Sequence, residues 1–448
     1  MVPLSRMYEI NEPSASARCA TSANDRGPRV GPWLLYSGRQ RAAFLAVLFL
    51  VGASNNIDRN ILGVLLPQIK SEFLVSDTRL GLLSGITFAC FYATLGVPLA
   101  RWADRGDRKR ILSLSLIVWS AMTALCGLAL SFWQLALARI GVGAGEAGAI
   151  PPAQSLIADY FPPERRAGAM GVFMMSSALG YGFALILGGY VAQQFGWRSA
   201  FMLVGAAGLL LGPMCLLVLK EPRANFASEG AAEPYHVVLV AMFKAPAYRC
   251  ILSAIVIYFF AGYGALVFIV SLMMRLFGIS VQTAGATFGI ISMVAGIVGN
   301  LLGGFGANHL AKRSLANLPR TAGWAMIACV PLFELALSRS TMTAMEVPLF
   351  LAMLVLNVMV APLYASLHLT CDSNRRATAV AIVLLFANLV GLGLGPFLAG
   401  LISDYLQAVH GPAEGLRWSL MALFLVMLVG GACMLRSARY IASANDHG

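Results

Sequence analysis

The feature that most limits this chain is a series of twelve long apolar runs separated by short polar breaks. A helix needs about 20 apolar residues to cross the hydrocarbon core of a bilayer, and only helices or closed barrels can do so with every backbone group paired. Runs of that kind lie near 42–66, 80–100, 111–131, 133–158, 167–193 and 200–219, with a tight turn at Ser131-Phe132 between the third and fourth. After a polar stretch at 220–249 come six more, near 251–274, 282–308, 321–338, 346–370, 377–402 and 417–435. The reading is an all-α integral membrane protein of twelve transmembrane helices, split six and six.

Composition agrees. Apolar residues make up 58% of the 448, charged residues only 12%, and the mean hydropathy is +0.75, whereas soluble domains carry about 25% charged residues. A water-soluble fold is excluded. The net charge of +12 would suggest nucleic acid in a soluble protein, but here the bases sit in loops between spans, and no nucleic-acid partner is expected. The eight cysteines and five histidines are scattered singly, without C-x-x-C or metal-ligand spacing, so neither a disulfide framework, a metal nor a cofactor is indicated. No apolar stretch precedes Trp33, so no cleavable signal peptide is visible and the first span is expected to direct its own insertion.

Lys and Arg set the orientation. With the N-terminus in the cytoplasm, cytoplasmic segments hold 24 of the 32 bases, outer segments hold Lys70, Arg79, Arg198, Arg275, Arg339 and Arg417, and Arg59 and Arg139 remain within spans. Both termini are therefore expected inside, in a plasma (inner) membrane. The expected units are a disordered tail at 1–38, an N-terminal bundle at 39–219, a cytoplasmic linker at 220–249 with a short surface helix near 234–243, a C-terminal bundle at 250–437 and a tail at 438–448. Bases in tail and linker are placed to meet anionic membrane lipids.

The halves echo each other. Arg165-Arg166-Ala167 leads into Gly180, Gly182 and Gly189, and Arg375-Arg376-Ala377 leads into Gly391, Gly393 and Gly400, roughly 210 residues later. Residues 96–110 resemble 303–313 at nearly the same offset, with Asn308 where the first copy has Asp104. Two parallel, pseudo-symmetric bundles with a binding site between them are the expected outcome.

The chemistry lies in charges deep within spans, where they cost several kcal/mol by insertion scales and need a partner or a wet cavity. Arg139 and Glu146 are seven apart on the fourth span, so they share a helix face about 10 Å apart, and the intervening glycines permit close packing. Asp58-Arg59 is a second charged pair, on the first span. Counting from Arg41, Asp58 lies about 25 Å up; counting from Asp159, Glu146 lies about 20 Å up and Arg139 about 30 Å. Asp58, Glu146 and Arg139 can then form one cluster in which two carboxylates compete for one arginine, an arrangement suited to proton coupling. The plainer alternative is a static ion pair that fixes packing.

The loop Gly96-Val-Pro-Leu-Ala-Arg-Trp-Ala-Asp104-Arg105-Gly-Asp107-Arg108-Lys109-Arg110 resembles that between the second and third spans of the major facilitator superfamily, and the resemblance covers roughly residues 40 to 440. It implies the major facilitator fold, with the first and fourth spans lining a central cavity. It also implies a cytoplasmic gate formed by Asp104, Arg105, Arg108 and Lys109, with Asp104 facing a helix N-terminus and the bases binding carboxylates. Asp107 departs from the family's usual glycine.

A narrower resemblance rests on Asn56-Ile-Asp58-Arg59, Pro67-x-Ile69, Arg139-x6-Glu146 and Gly264-Ala265-Leu266, which look like motifs of spinster-like transporters. It implies a monomer that moves lysophospholipids or sphingosine-1-phosphate-like amphiphiles by alternating access, with protons as coupling partner. Tyr258, Tyr263 and Phe268 on the seventh span, Asn357 on the tenth, and Phe386 and Asn388 on the eleventh would suit the apolar part of such a cargo, while Arg59 or Arg139 would take its phosphate or carboxylate.

Two other readings are kept open. A symporter of small organic anions such as sugar acids needs polar walls in both halves, and the second half reads as apolar. A membrane enzyme acting on lipids needs a nucleophile or metal ligands near a membrane face, and no such spacing is present. Direct use of ATP is not expected, since no P-loop occurs. Glu334 and His368 have no role in this reading.

Overall fold

The computed structural model describes residues 32–222, 235–370 and 376–445. Those residues are helical almost throughout, with no strand among them, and they form twelve spans. The first is Gly38–Phe73, the second Asp77–Ser84 continued by Ile86–Arg105, the third Arg108–Gly127, and the fourth Phe132–Glu146 continued by Ile150–Tyr160. Pro163–Val218 holds the fifth and sixth spans, divided at Gly196. The seventh is Pro246–Leu266 with Ile269–Phe277, the eighth Val281–Arg313, the ninth Asn317–Leu337, and the tenth Met342–Val358 with Val360–His368. The eleventh runs from Arg376–Phe386 through a π-helical turn at Ala387–Leu394 into Gly395–Leu425, which passes into the twelfth at Gly411; Met427–Asn445 completes it.

Local sequence sets these boundaries. Ser37, Ser76, Ser131, Ser280 and Asp107 each accept a hydrogen bond from the N–H three residues on, satisfying a donor the helix leaves open. Gly196 and Gly411 both have φ 82°, a left-handed conformation that glycine reaches without steric cost. They turn the chain between the fifth and sixth and between the eleventh and twelfth spans, at the offset of the sequence repeat. Leu74 (φ 51°) and Gly278 (φ 64°) likewise close the first and seventh spans.

Each expected apolar run is matched by a helix, most of which extend past it, although the third ends at Gly127, before its run does. Residues 1–31 lie outside the described residues, but Pro32–Leu35 forms a 3₁₀ turn and Tyr36 packs edge-on to Phe44 and Tyr160. At the other end the helix continues to Asn445, held by buried Ala438 and Ile441. The surface helix of the linker is Tyr235–Lys244; residues 223–234 are outside the described residues.

The bundles are joined where the helices lie farthest from the termini. Asp404 of the eleventh span accepts the backbone N–H groups of Asp77 (2.9 Å) and Thr78 (2.7 Å), and so caps the second span from the opposite half. Asp77 in turn accepts from Arg275 (2.6 and 2.7 Å), Ser403 (2.7 Å) and Lys70 (2.6 Å). Glycines bring the halves into contact at two places: between the second and eleventh spans a methyl group on Gly81 would lie 2.9 Å from the Phe397 Cα, and between the fifth and eighth one on Gly189 would lie 3.0 Å from the Val281 carbonyl. This distal end is closed.

Candidate functional site

Midway along the N-terminal bundle the first, second, third and fourth spans bring four charges together. The fourth span breaks after Glu146, where Ala147, Gly148 and Ala149 form a turn before helix resumes at Ile150. Glycines let the neighbours press against this segment, since a methyl group on Gly143 would be 2.6 Å from the Phe88 carbonyl oxygen and one on Gly145 would be 2.7 Å from the Trp119 nitrogen. The glycines read in the sequence as packing devices thus set the depth of the site.

Glu146 is fully buried and its Oε2 is shared by two donors of the first span. Arg59 reaches it through Nη2 (3.0 Å) and Nε (3.3 Å), and Asn55 through Nδ2 (2.9 Å). Asp58, also fully buried, turns to the third span and accepts from Trp119 Nε1 at 3.1 Å and from the Thr123 hydroxyl. Arg139 is 1% exposed and donates to the backbone carbonyl of Asp58 at 3.4 Å. Glu146 Oε1 and Arg139 Nε have no hydrogen-bond partner among the described residues.

The expected cluster of Asp58, Glu146 and Arg139 is therefore brought together, but its pairing differs. Glu146 takes Arg59, and Asp58 takes neutral donors, so the carboxylates do not share Arg139. Successive helix residues point about 100° apart, which sends Asp58 toward the third span and Arg59 toward the fourth. Asn55, Trp119 and Thr123 were not read from the sequence. Asn55 carries a signal in hindsight, since it lies one turn before Arg59 on the same face.

Aromatic rings complete the site. The Arg59 guanidinium lies 5.0 Å from the Phe88 ring centre and 4.7 Å from that of Tyr92, and Arg139 lies 5.3 Å from Phe88. Across the interface, Tyr258 and Tyr263 flank Phe259, each with its ring 5.5 Å away. Asn357 donates to the Met353 carbonyl and Asn388 to that of Leu384. Phe386 packs against Phe243 of the linker helix (6.1 Å), and Phe268 is fully buried at the break of the seventh span. Those two rings serve packing, apart from the tyrosines.

At the proximal end, Arg108 is buried and binds Asp159 (2.7 Å), Glu221 (2.6 Å) and Ser155 (2.8 Å). Asp159 lies on the fourth span and Glu221 just past the end of the sixth, so Arg108 braces the N-terminal bundle from within. Lys109 is half-buried. The side chains of Asp104 and Arg105 lie outside the described residues.

Comparison with known proteins agrees with this architecture. The pattern of the Major Facilitator Superfamily matches residues 48–392. The chain is 33% identical to an MFS-type efflux pump of Mycolicibacterium smegmatis, over 95% of this chain and 98% of that one. It is 26% identical to protein spinster homolog 1 of Xenopus tropicalis (90% and 82% covered) and to a sphingosine-1-phosphate transporter of Danio rerio (88% and 83%). Among solved structures it is similar to a bacterial homologue of the human lysosomal transporter spinster in an inward-facing, unoccupied conformation, with TM-score 0.82, 29% identity, and 91% of this chain and 99% of that one covered.

Proposed function

From the premise that the chain belongs to the major facilitator superfamily and is a membrane transporter, we propose that it carries an anionic amphiphile of the lysophospholipid or sphingosine-1-phosphate class by proton-coupled alternating access. The observation that carries this reading is Arg59, a guanidinium with 14% of its side chain exposed, paired with a wholly buried Glu146 and lying against the rings of Phe88 and Tyr92. A phosphate or carboxylate headgroup competes with Glu146 for Arg59, and protonation of Glu146 releases the arginine to it. Asp58 and Glu146 are the proton-accepting groups, and Arg139 supplies a second positive charge. Tyr258, Tyr263, Asn357 and Asn388 line the way of the cargo.

With both termini in the cytoplasm, a placement the distribution of bases supports, the closed distal end faces outward and the conformation is inward-facing. The latch of Asp77, Arg275 and Asp404 then holds the outer gate, and the segment from Asp104 to Lys109, with Arg105 and Arg108, forms the inner gate of a monomer in the inner membrane. The name of the Danio rerio relative supports the lipid class.

The test is uptake into proteoliposomes of a labelled lysophospholipid and, in parallel, a labelled sugar acid, with and without an inward-acid pH gradient. The proposal expects lysolipid flux that responds to the gradient. Sugar-acid flux without lysolipid flux would move the cargo to small organic anions.

A further inference from the structure

One ring, Phe88, receives both arginines of the site, Arg59 at 5.0 Å and Arg139 at 5.3 Å from its centre, and is itself fully buried. Its backbone lies against Gly143, between Arg139 and Glu146 in the fourth span, so the ring is held at the level between these two residues. An aromatic face attracts guanidinium without neutralising it, and leaves each arginine able to exchange its other partners. Arg139 Nε and Glu146 Oε1, without a hydrogen-bond partner among the described residues, are the atoms such an exchange would use.

The neighbours of Phe88 belong to a different contact. The second span breaks at Gly85, three residues before it. A methyl group on Gly85 would lie 3.1 Å from the Leu392 carbonyl, and one on Gly393 would lie 3.3 Å from the Ala89 Cβ. Both partners belong to the π-helical turn Ala387–Leu394 of the opposite half, a distortion of a kind frequent at functional sites. Phe88 therefore stands on the one hand against the charges of the N-terminal bundle and on the other beside the backbone that touches the C-terminal bundle. Rocking of the halves would move the second span against the π-turn and carry the ring with it.

We infer that Phe88 is a positioning residue: its ring sets which arginine serves Glu146, and through Gly85 and Ala89 it makes that choice depend on the position of the C-terminal half. The inference rests on the charged cluster being the seat of coupling proposed above, but its test needs neither cargo nor a proton gradient.

In a cysteine-depleted background, spin labels at Arg79 and Val409, both exposed at the distal end, report the separation of the halves by double electron–electron resonance. The expected result is that Glu146→Gln shifts the open-to-closed ratio at least about threefold with Phe88 present. In Phe88→Leu, which keeps apolar bulk but has no ring, the same substitution shifts nothing; in Phe88→Tyr the shift returns. Phe88→Leu must elute as a monodisperse protein, and if it does not, Phe88→Met takes its place. An equal response in the Leu or Met background, no response in the Tyr background, or no effect of Glu146→Gln with Phe88 present would each overturn the inference. Failure of lysolipid flux alone would instead count against the cargo proposed above.

Discussion

Arg59 and Glu146, on the first and fourth spans and 87 residues apart in the chain, meet at 3.0 Å with the carboxylate wholly removed from solvent. Breaking a buried pair from one side costs about 3–5 kcal/mol, because the remaining charge is stranded. Arg59→Ala is expected to lower the thermal midpoint in detergent and abolish uptake. Adding Glu146→Gln should restore stability without restoring uptake. A single Arg59→Ala protein as stable as wild type would show that the pair is not formed in the membrane.

Asp58 accepts from Trp119 and Thr123 rather than from an arginine side chain. Thr123→Val keeps the shape and removes one donor, leaving a buried carboxylate oxygen unsatisfied at a cost of about 1–3 kcal/mol. The thermal midpoint should fall, and Asp58→Asn in the same chain should recover part of the loss. Equal midpoints for Thr123→Val and wild type would remove Thr123 from the site.

Asp404 caps the second span across the bundle interface, and Asp77 receives Arg275 from the same side. Asp404→Ala should loosen the distal end and favour the opposite conformation. A cysteine in place of Tyr263 should then react several-fold faster with a membrane-impermeant maleimide added from outside in the Asp404→Ala protein. Unchanged labelling would mean that the glycine contacts alone hold the gate.

Glu72, in the last turn of the first helix and past its apolar run, accepts from Trp197 (2.7 Å) and Arg198 (2.7 Å), which hold its carboxyl below the usual carboxylate range. A group depressed in the folded state stabilises above its unfolded pKa, and the contribution is lost as pH falls through the folded value. Its side chain is 43% exposed, so screening keeps the effect small. Between about pH 5 and pH 3, the thermal midpoint of wild type should fall slightly more than that of Glu72→Gln; parallel curves would rule the contact out as a source of stability.

The spans were legible because hydrocarbon demands long apolar runs, and the depth of the site because an α-helix rises a fixed amount per residue. That arithmetic placed Asp58 level with the gap between Arg139 and Glu146, and the structure has its carbonyl on Arg139. Rotation was not legible: nothing in the apolar sequence says which of Asp58 and Arg59 faces Glu146, and the pairing expected with Arg139 went to Arg59. The distal latch was hidden for a different reason. Asp77 and Asp404 are ordinary acids near span ends, and only the approach of two helices from separate halves makes them partners. The π-turn at Ala387–Leu394 likewise depends on the seventh span, where Gly395 lies against Phe260, and has no composition of its own.

The central claim is that cargo movement and protonation of the buried carboxylates are one process. The most direct measurement is the internal pH of proteoliposomes loaded with a pH-sensitive dye, followed as lysophospholipid is added outside without a preset gradient. The account predicts a cargo-dependent pH change in wild type that disappears in Glu146→Gln while labelled lysolipid still exchanges. Lysolipid flux in wild type with no accompanying pH change would contradict it.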